Sequence, residues 1–409
     1  MPCHRITPFI PDVPQPVKSS ILLIAGDVSG DINTARLAKT LLERNPDWTL
    51  YAVGGPHLGG EVTKSPGGLL IGDASDLSGI GIYSSLKMYP RAKMIQMRIL
   101  RFIREHTINA AVLCDWGAFN CRLLPSLTKA GVPVLYYFPP RSWQRTGSGG
   151  LGVVSSVDRV ATPFEWSAQR LRAAGCKAEW VGHPMLEVKY SMEKRVALRS
   201  EFGVTNSEKL VALLPGSRLS EINCLAPRLA TTAEILHKRT GLHCIVPVSQ
   251  QRVETVKKHF PGWVKIVTDR TADVLFASDA AVVKSGSATL EAAVIGTPQV
   301  VVYDFPWIGK LEWLLLWMWK RNIPYIAMPN VILQRMAVQE LLGLDCRPES
   351  IASAVAELLE DKTKRDRMAE DYQQIRQHLG AFLSKPATLR TAEIVEELLL
   401  DKKSESIQR

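Results

Sequence analysis

Two series of short apolar runs, each run separated from the next by a helical pattern, constrain this chain more than any other feature. The first series is SILLIA (20–25), TLYAVG (49–54), AAVLC (110–114), PVLYYF (133–138) and DRVAT (158–162). The rhythm restarts with KLVALL (209–214), HCIVPV (243–248), VKIV (264–267), DAAVV (279–283) and PQVVVY (298–303). Runs without polar alternation suit strands buried on both faces, and strands alternating with helices imply parallel sheets closed by crossovers. A chain of 409 residues is also too long for one ordinary core. The expected class is therefore α/β, with two doubly wound domains over 20–185 and 186–365. Residues 1–19, with five prolines and no apolar core, read as a disordered tail, and 366–409 as charged helices packing back toward the first domain.

Composition narrows the partners. Fifty Lys and Arg against forty Asp and Glu give a net charge of +10, which suits an anionic partner: nucleic acid, an anionic membrane or a phosphorylated substrate. Seven cysteines without C-x-x-C spacing argue for reduced thiols in the cytosol. No two histidines stand three or four apart and no D-x-D pair occurs, so no metal is expected. The longest tryptophan-rich apolar stretch, WLLLWMW (313–319), is too short to span a bilayer and reads as a buried helix.

Ligands in open α/β sheets sit beyond the carboxyl ends of the strands, so the residues that follow each run carry the functional signal. After SILLIA comes the turn "IAGDVSGD" (24–31), with Asp27, Ser29, Gly30 and Asp31 ahead of a helical pattern. Its G-x-x-x-G spacing differs from the dinucleotide fingerprint, and two carboxylates would repel a pyrophosphate. After AAVLC comes "CDWGAFN", which sets Asp115 beside Trp116 and Phe119 as either a general base or a helix cap. In "LLPGSR" (213–218), Gly216, Ser217 and Arg218 open a helix and suit a phosphate; a tight turn with a solvated arginine is the plainer reading. In "KSGSATLEAAVIGTP" (284–298), small residues Ser285, Gly286 and Ser287 let a ligand approach the backbone. Glu291, a turn further on, either accepts ribose hydroxyls or complements the helix dipole. The two turns together point to a nucleoside diphosphate. His183, in "VGHP", reads as structural. Residues 86–104 hold six cations and no acid, with Met88, Ala92, Ile95, Ile99 and Phe102 at helical spacing. That stripe is either a core face or one lying on an anionic membrane.

In this order, "AGDVSGD", "GGP" (54–56), "LSGIGI" (77–82), "CDWGAFN", "VGHP", "LLPGSRLSEI", "SDAAVVKSGSATLEA", "GTPQVVVY" and "PYIAMPNVI" (324–332) resemble the lipid-A-disaccharide synthases, from residue 20 to about 400. The resemblance implies a GT-B inverting glycosyltransferase of two Rossmann-like domains facing across a cleft. It places a UDP-sugar donor on the second half, at Arg218, Glu291 and Asn330, and a glycolipid acceptor such as lipid X on the first. Asp115 matches the first aspartate of the family's Asp-x-x-Asp-Phe-Asn stretch and is the implied base. Asp27 replaces a glutamate in Gly-Glu-x-Ser-Gly-Asp and is a second catalytic candidate, with Ser29 and Gly30 beside it on the acceptor side. No cofactor, metal or nucleic acid is implied. Peripheral attachment to the inner face of the cytoplasmic membrane and a homodimer are. The chain departs from the family at Ala118, where an aspartate is usual, in "PPRSWQRTGSGG" (139–150), where only Trp143 of the tryptophans remains, and in "NVILQRM" (330–336). These changes leave open another lipid acceptor or a glycolipid-binding protein without turnover; a UDP-GlcNAc epimerase on a similar two-half fold is the other class, and the basic stretch 86–104 speaks against it.

Overall fold

The computed structural model describes residues 19–74, 82–140, 156–304 and 325–407. The tail through residue 18, the 141–150 part of the altered acceptor-side segment and the 307–319 stretch lie outside the described residues. The chain divides into two compact units.

The first unit takes the described residues of Met1–Thr162, Ala168–Glu179 and Thr388–Arg409. Its strands are β1 (Ser20–Ala25), β2 (Thr49–Gly54), β3 (Leu69–Asp73), β4 (Ala110–Cys114), β5 (Val134–Tyr137), β6 (Arg159–Thr162) and β7 (Ala178–Trp180), in the order β3-β2-β1-β4-β5-β6-β7. Strands β1 and β4 run parallel with Ala25 opposite Cys114, so the polar residues after each emerge side by side. Ile21 to Ile24 and Ala111 to Cys114 are fully buried, which is why these runs lack polar alternation.

The second unit takes Pro163–Ser167 and Trp180–Ala387. Its strands are β8 (Leu210–Leu214), β9 (His243–Val248), β10 (Lys265–Thr268), β11 (Ala280–Lys284), β12 (Gln299–Tyr303) and β13 (Gln339–Leu342), ordered β10-β9-β8-β11-β12-β13. Strands β8 and β11 are parallel neighbours with Leu214 opposite Val283. In each sheet the winding direction reverses between two central strands, β1 and β4 in one and β8 and β11 in the other. Those reversals are where doubly wound sheets open a crevice for ligands.

The unit boundaries differ from the expected 185 and 365. The helix Lys362–His378 stays with the second unit, where the Tyr372 hydroxyl donates to Thr297 O at 3.2 Å and Arg376 Nη2 to Val294 O at 2.8 Å. Only the terminal helix, Ala387–Ile407, belongs from Thr388 to the first unit. There Ile394, Val395 and Leu398 are buried, Arg44 grips Glu396 through two bonds of 2.9 and 2.8 Å, and Arg390 sits among Glu179, Glu393 and Glu397.

The basic helix Ile82–Glu105 separates its two faces. Ile95, Ile99 and Phe102 lie in the first unit's core, so the sequence stripe is a core face. The side chain of Met88 lies outside the described residues. The opposite face exposes Tyr89, Met94 and Met97 among Lys93, Arg98, Arg101 and Arg104.

Candidate functional site

The reversal between β1 and β4 is built around a strained turn. Asp115 and Trp116 follow β4 with φ of 48° and 42°, left-handed values that cost non-glycine residues about 1–2 kcal/mol each, less for aspartate. The turn is held from below at one atom, the Asp115 carbonyl oxygen. Asn120 Nδ2 donates to it at 2.9 Å, and the Tyr136 hydroxyl donates to it as well. Asn120 and Tyr136 are fully buried; Asn120 lies in the first turn of the helix Gly117–Lys129, and Tyr136 comes from β5. From above, the Trp116 ring covers Gly26, where a Cβ would fall 2.1 Å from the indole, and stacks on Phe119 with centroids 3.8 Å apart. Strain maintained by this much support marks a place where geometry matters more than stability. The aromatic neighbours read from the sequence therefore pack on the turn that carries Asp115.

The neighbouring β1 turn does two structural jobs. Asp27 is the N-cap of the helix Val28–Arg44, its Oδ1 accepting Gly30 N at 2.6 Å. Its other oxygen has no hydrogen bond among the described residues. Asp31 is committed entirely: Oδ1 accepts from Gly55 N (2.7 Å) and Leu58 N (3.1 Å), and Oδ2 from His57 N (3.0 Å). Burial pushes its pKa above the usual carboxylate value, although the three backbone donors pull it down. Asp31 thereby ties "AGDVSGD" to "GGP", the turn that starts the next helix. Ser29 is half-buried and Gly30 buried beside Cys114.

At the second reversal, the β8 and β11 turns share a charged cluster. Glu221 folds back from the first turn of the helix Leu219–Thr240, so that its Oε2 accepts from Ser217 N (3.2 Å) and Arg218 N (3.3 Å). Its Oε1 accepts from Arg218 Nη1 (3.1 Å) and Lys284 Nζ (2.6 Å). Gly216, at φ 112°, must be glycine, since a Cβ would stand 2.6 Å from that carboxylate. Burial works to raise the Glu221 pKa, but Lys284 and Arg218 outweigh it and hold the group below its ordinary value, so it is ionised.

The helix Ser287–Ile295 starts beside this cluster, with Ser287 exposed, Gly286 half-buried and Glu291 half-buried one turn on. Ser285 is nearly buried, and its hydroxyl donates to Ile326 O at 3.0 Å, so it supports the turn and does not reach into it. The Asn330 side chain is likewise engaged within the chain. It is fully buried; its Nδ2 donates to Val338 O and Glu340 Oε1 at 2.8 Å, and its Oδ1 accepts from Ala337 N and Val338 N at 2.8 Å. These bonds take up the side-chain amide, so the Asn330 side chain holds the loop before β13. The structure thus gathers Gly216, Ser217 and Arg218 with Ser285, Gly286 and Ser287 in one place, and Asp27 with Asp115 in another. His183 is structural as read: buried, with Nδ1 accepting Met185 N at 3.2 Å.

Sequence reading missed Asn120, Tyr136, Glu221 and Lys284. Three of them stood inside quoted motifs, "CDWGAFN", "LLPGSRLSEI" and "KSGSATLE", and Tyr136 stood in the run PVLYYF; Glu221 occupies the third helical position, where a carboxylate caps a turn. Among the described residues, no group of three or more His, Cys, Asp or Glu is placed to hold a metal ion.

Comparison with known proteins gives a consistent picture. Residues 21–395 match the family described as Lipid-A-disaccharide synthetase. The lipid-A-disaccharide synthase of Myxococcus xanthus is 34% identical over 388 residues, covering 93% of this chain and 97% of that protein. Among solved structures, the UDP-GlcNAc 2-epimerase of Neisseria meningitidis bound to UDP-GlcNAc superposes with a TM-score of 0.59 at 12% identity, over 93% of this chain and all of that one. MurG of Acinetobacter baumannii does so with a TM-score of 0.53 at 14% identity, over the same shares. At such identities the structural likeness establishes the GT-B fold alone.

Proposed function

The chain belongs to the lipid-A-disaccharide synthetase family, and from that premise we propose that it transfers an acylated glucosamine from a UDP-sugar to a glycolipid acceptor such as lipid X, releasing UDP. The observation that carries the reading is the β8–β11 cluster, where Arg218 and two helix starts converge at a sheet reversal. Backbone N–H groups and a cation there suit the diphosphate of the donor and stabilise it as it departs. Glu291 is the candidate for the ribose hydroxyls. On the first unit, Asp115 takes the proton of the acceptor hydroxyl as that oxygen attacks the anomeric carbon. The bond from that carbon to the UDP oxygen breaks on the opposite face, which inverts the centre. Asp27 accepts a hydrogen bond from the sugar or acceptor, with Ser29 and Gly30 shaping the same turn.

No helix among the described residues is long and apolar enough to cross a membrane. Contact with the inner face of the cytoplasmic membrane falls to the exposed face of Ile82–Glu105, where Met94 and Met97 lie among four cations. Methionines can enter the headgroup boundary while lysine and arginine meet anionic lipid.

The test is UDP release from an acylated UDP-glucosamine, with and without lipid X in detergent micelles. Release that requires lipid X and yields a disaccharide supports the proposal. Conversion of UDP-GlcNAc without any acceptor would instead establish an epimerase, and binding of lipid without turnover a silent glycolipid-binding protein.

A further inference from the structure

The Glu221 carboxylate lies among an unusual number of donors for a helix cap. It receives two backbone N–H groups at a helix start and two cationic side chains, from Arg218 and Lys284. A capped helix needs only the backbone part of this arrangement. The lysine is surplus to capping. Its side chain is 11% exposed and that of Glu221 14%, and burying an ion pair to this degree contributes little to stability after the loss of hydration. Position also sets Lys284 apart. It is the last residue of β11, its Nζ lies 5.3 Å from the Tyr303 ring centroid, and it stands 3.8 Å from where a Cβ on Gly286 would be. The ammonium therefore borders both helix starts, 219 and 287, at once.

We propose that Lys284 is a second cationic ligand of the donor's diphosphate, and that Glu221 is a placeholder that orients Lys284 and Arg218 until the diphosphate takes its place. This deepens the donor-site reading and rests on it. With Glu221 in place the three side chains sum to one positive charge. A diphosphate brings more negative charge than one carboxylate and attracts both cations more strongly. Glu221 then acts as a positioning residue: it keeps the cations from folding outward into water, and it opposes weak anions that lack a second phosphate.

Isothermal titration of the full chain with UDP and with uridine tests this, using the unaltered protein, Lys284→Gln and Glu221→Gln. Lys284→Gln keeps a donor toward Glu221 and removes the charge. It should weaken UDP about 10- to 100-fold, the range for a hydrogen bond to a charged group, and leave uridine unchanged. Glu221→Gln keeps an oxygen for the backbone N–H groups but no longer competes by charge, so UDP should bind at least about threefold tighter. A purely structural Glu221 predicts the opposite sign. Unchanged UDP affinity in Lys284→Gln, or weaker UDP binding in Glu221→Gln, overturns the inference and leaves the donor site intact. Failure of the unaltered protein to bind UDP overturns the donor reading itself. If Lys284→Gln does not fold, the direction of the Glu221→Gln change decides alone.

Discussion

Loosening the clamp under Asp115 should damage catalysis far more than stability. Asn120→Ala removes one donor to the Asp115 carbonyl, the 2.9 Å bond from Nδ2, while the Tyr136 hydroxyl stays. The carbonyl is not orphaned, so the loss is that of one ordinary hydrogen bond, about 0.5–1.5 kcal/mol. Part of that is offset, because Asp115 and Trp116 can then relax from φ of 48° and 42°. The net cost to stability is about 1 kcal/mol. The carboxylate moves with the backbone, however, and a displacement of about 1 Å at a reacting group costs about 100-fold in rate. Tyr136→Phe removes the other donor and should behave alike. The double variant leaves a carbonyl without either donor, so its destabilisation should exceed the sum of the singles by about 1–3 kcal/mol. Urea unfolding followed by tryptophan fluorescence gives the stabilities, and UDP release from the acylated UDP-sugar donor gives kcat. A single variant with full kcat, or strictly additive stabilities, would refute the idea that these two residues hold a strained catalytic turn.

Asp115→Asn keeps the shape but takes no proton at neutral pH, so turnover should fall about 10²–10⁴-fold while UDP affinity by titration stays the same; loss of both would make Asp115 structural. If turnover survives in Asp115→Asn and falls in Asp27→Asn, the base is Asp27. Arg218→Ala should weaken UDP binding by about 1.5–3 kcal/mol, and equal affinity would remove Arg218 from the site. Replacing exposed Lys93 and Arg98 by Gln should weaken co-sedimentation with anionic vesicles by about 1 kcal/mol per cation, with a steep dependence on salt; binding indifferent to both would leave Ile82–Glu105 as a core helix only. Asp31→Ala strips the cap from the helix Pro56–Val62 and should cost about 1–2 kcal/mol in urea unfolding, and an unchanged midpoint would mean water replaces the three lost bonds.

The strands that sequence made legible are those buried on both faces. SILLIA, TLYAVG, AAVLC and HCIVPV match β1, β2, β4 and β9 residue for residue. The strands it did not reveal are β3, β7 and β13, and each stands at an edge of its sheet. An edge strand is partly exposed, so its side chains need not be apolar: β3 follows two glycines and buries only Gly72, and Gln339-Glu340-Leu341-Leu342 reads as helix when taken alone. The terminal helix was misplaced in extent for a related reason. What assigns it to the first unit is pairing with Arg44 and Glu179, hundreds of residues away, which no local pattern announces.

The same physics divides the site into a readable part and a hidden part. At both sheet reversals the central strands are buried, so apolar packing dictates their residues and leaves the first polar position after each run to serve a ligand. Asp27, Asp115 and Arg218 stand at or just beyond those positions and could be picked out. The residues that aim them lie where local patterns are silent: Tyr136 is an apolar-looking member of the adjacent strand, and Glu221 resembles any first-turn carboxylate. Asn330 shows the converse. Resemblance selected it as a nucleotide contact, yet its amide is consumed by Val338, Ala337 and Glu340, and Glu340 in turn accepts Ala327 N at 2.9 Å. Met328, next along, donates its backbone N–H to Thr289 Oγ1 in the helix Ser287–Ile295, which follows the proposed donor turn. Asn330 therefore bears on the proposed nucleotide site through the backbone it fixes. Asn330→Asp, which turns one donor into an acceptor facing Glu340 and Val338 O, should loosen that helix start and weaken UDP and uridine together, unlike a change at Arg218, which should spare uridine.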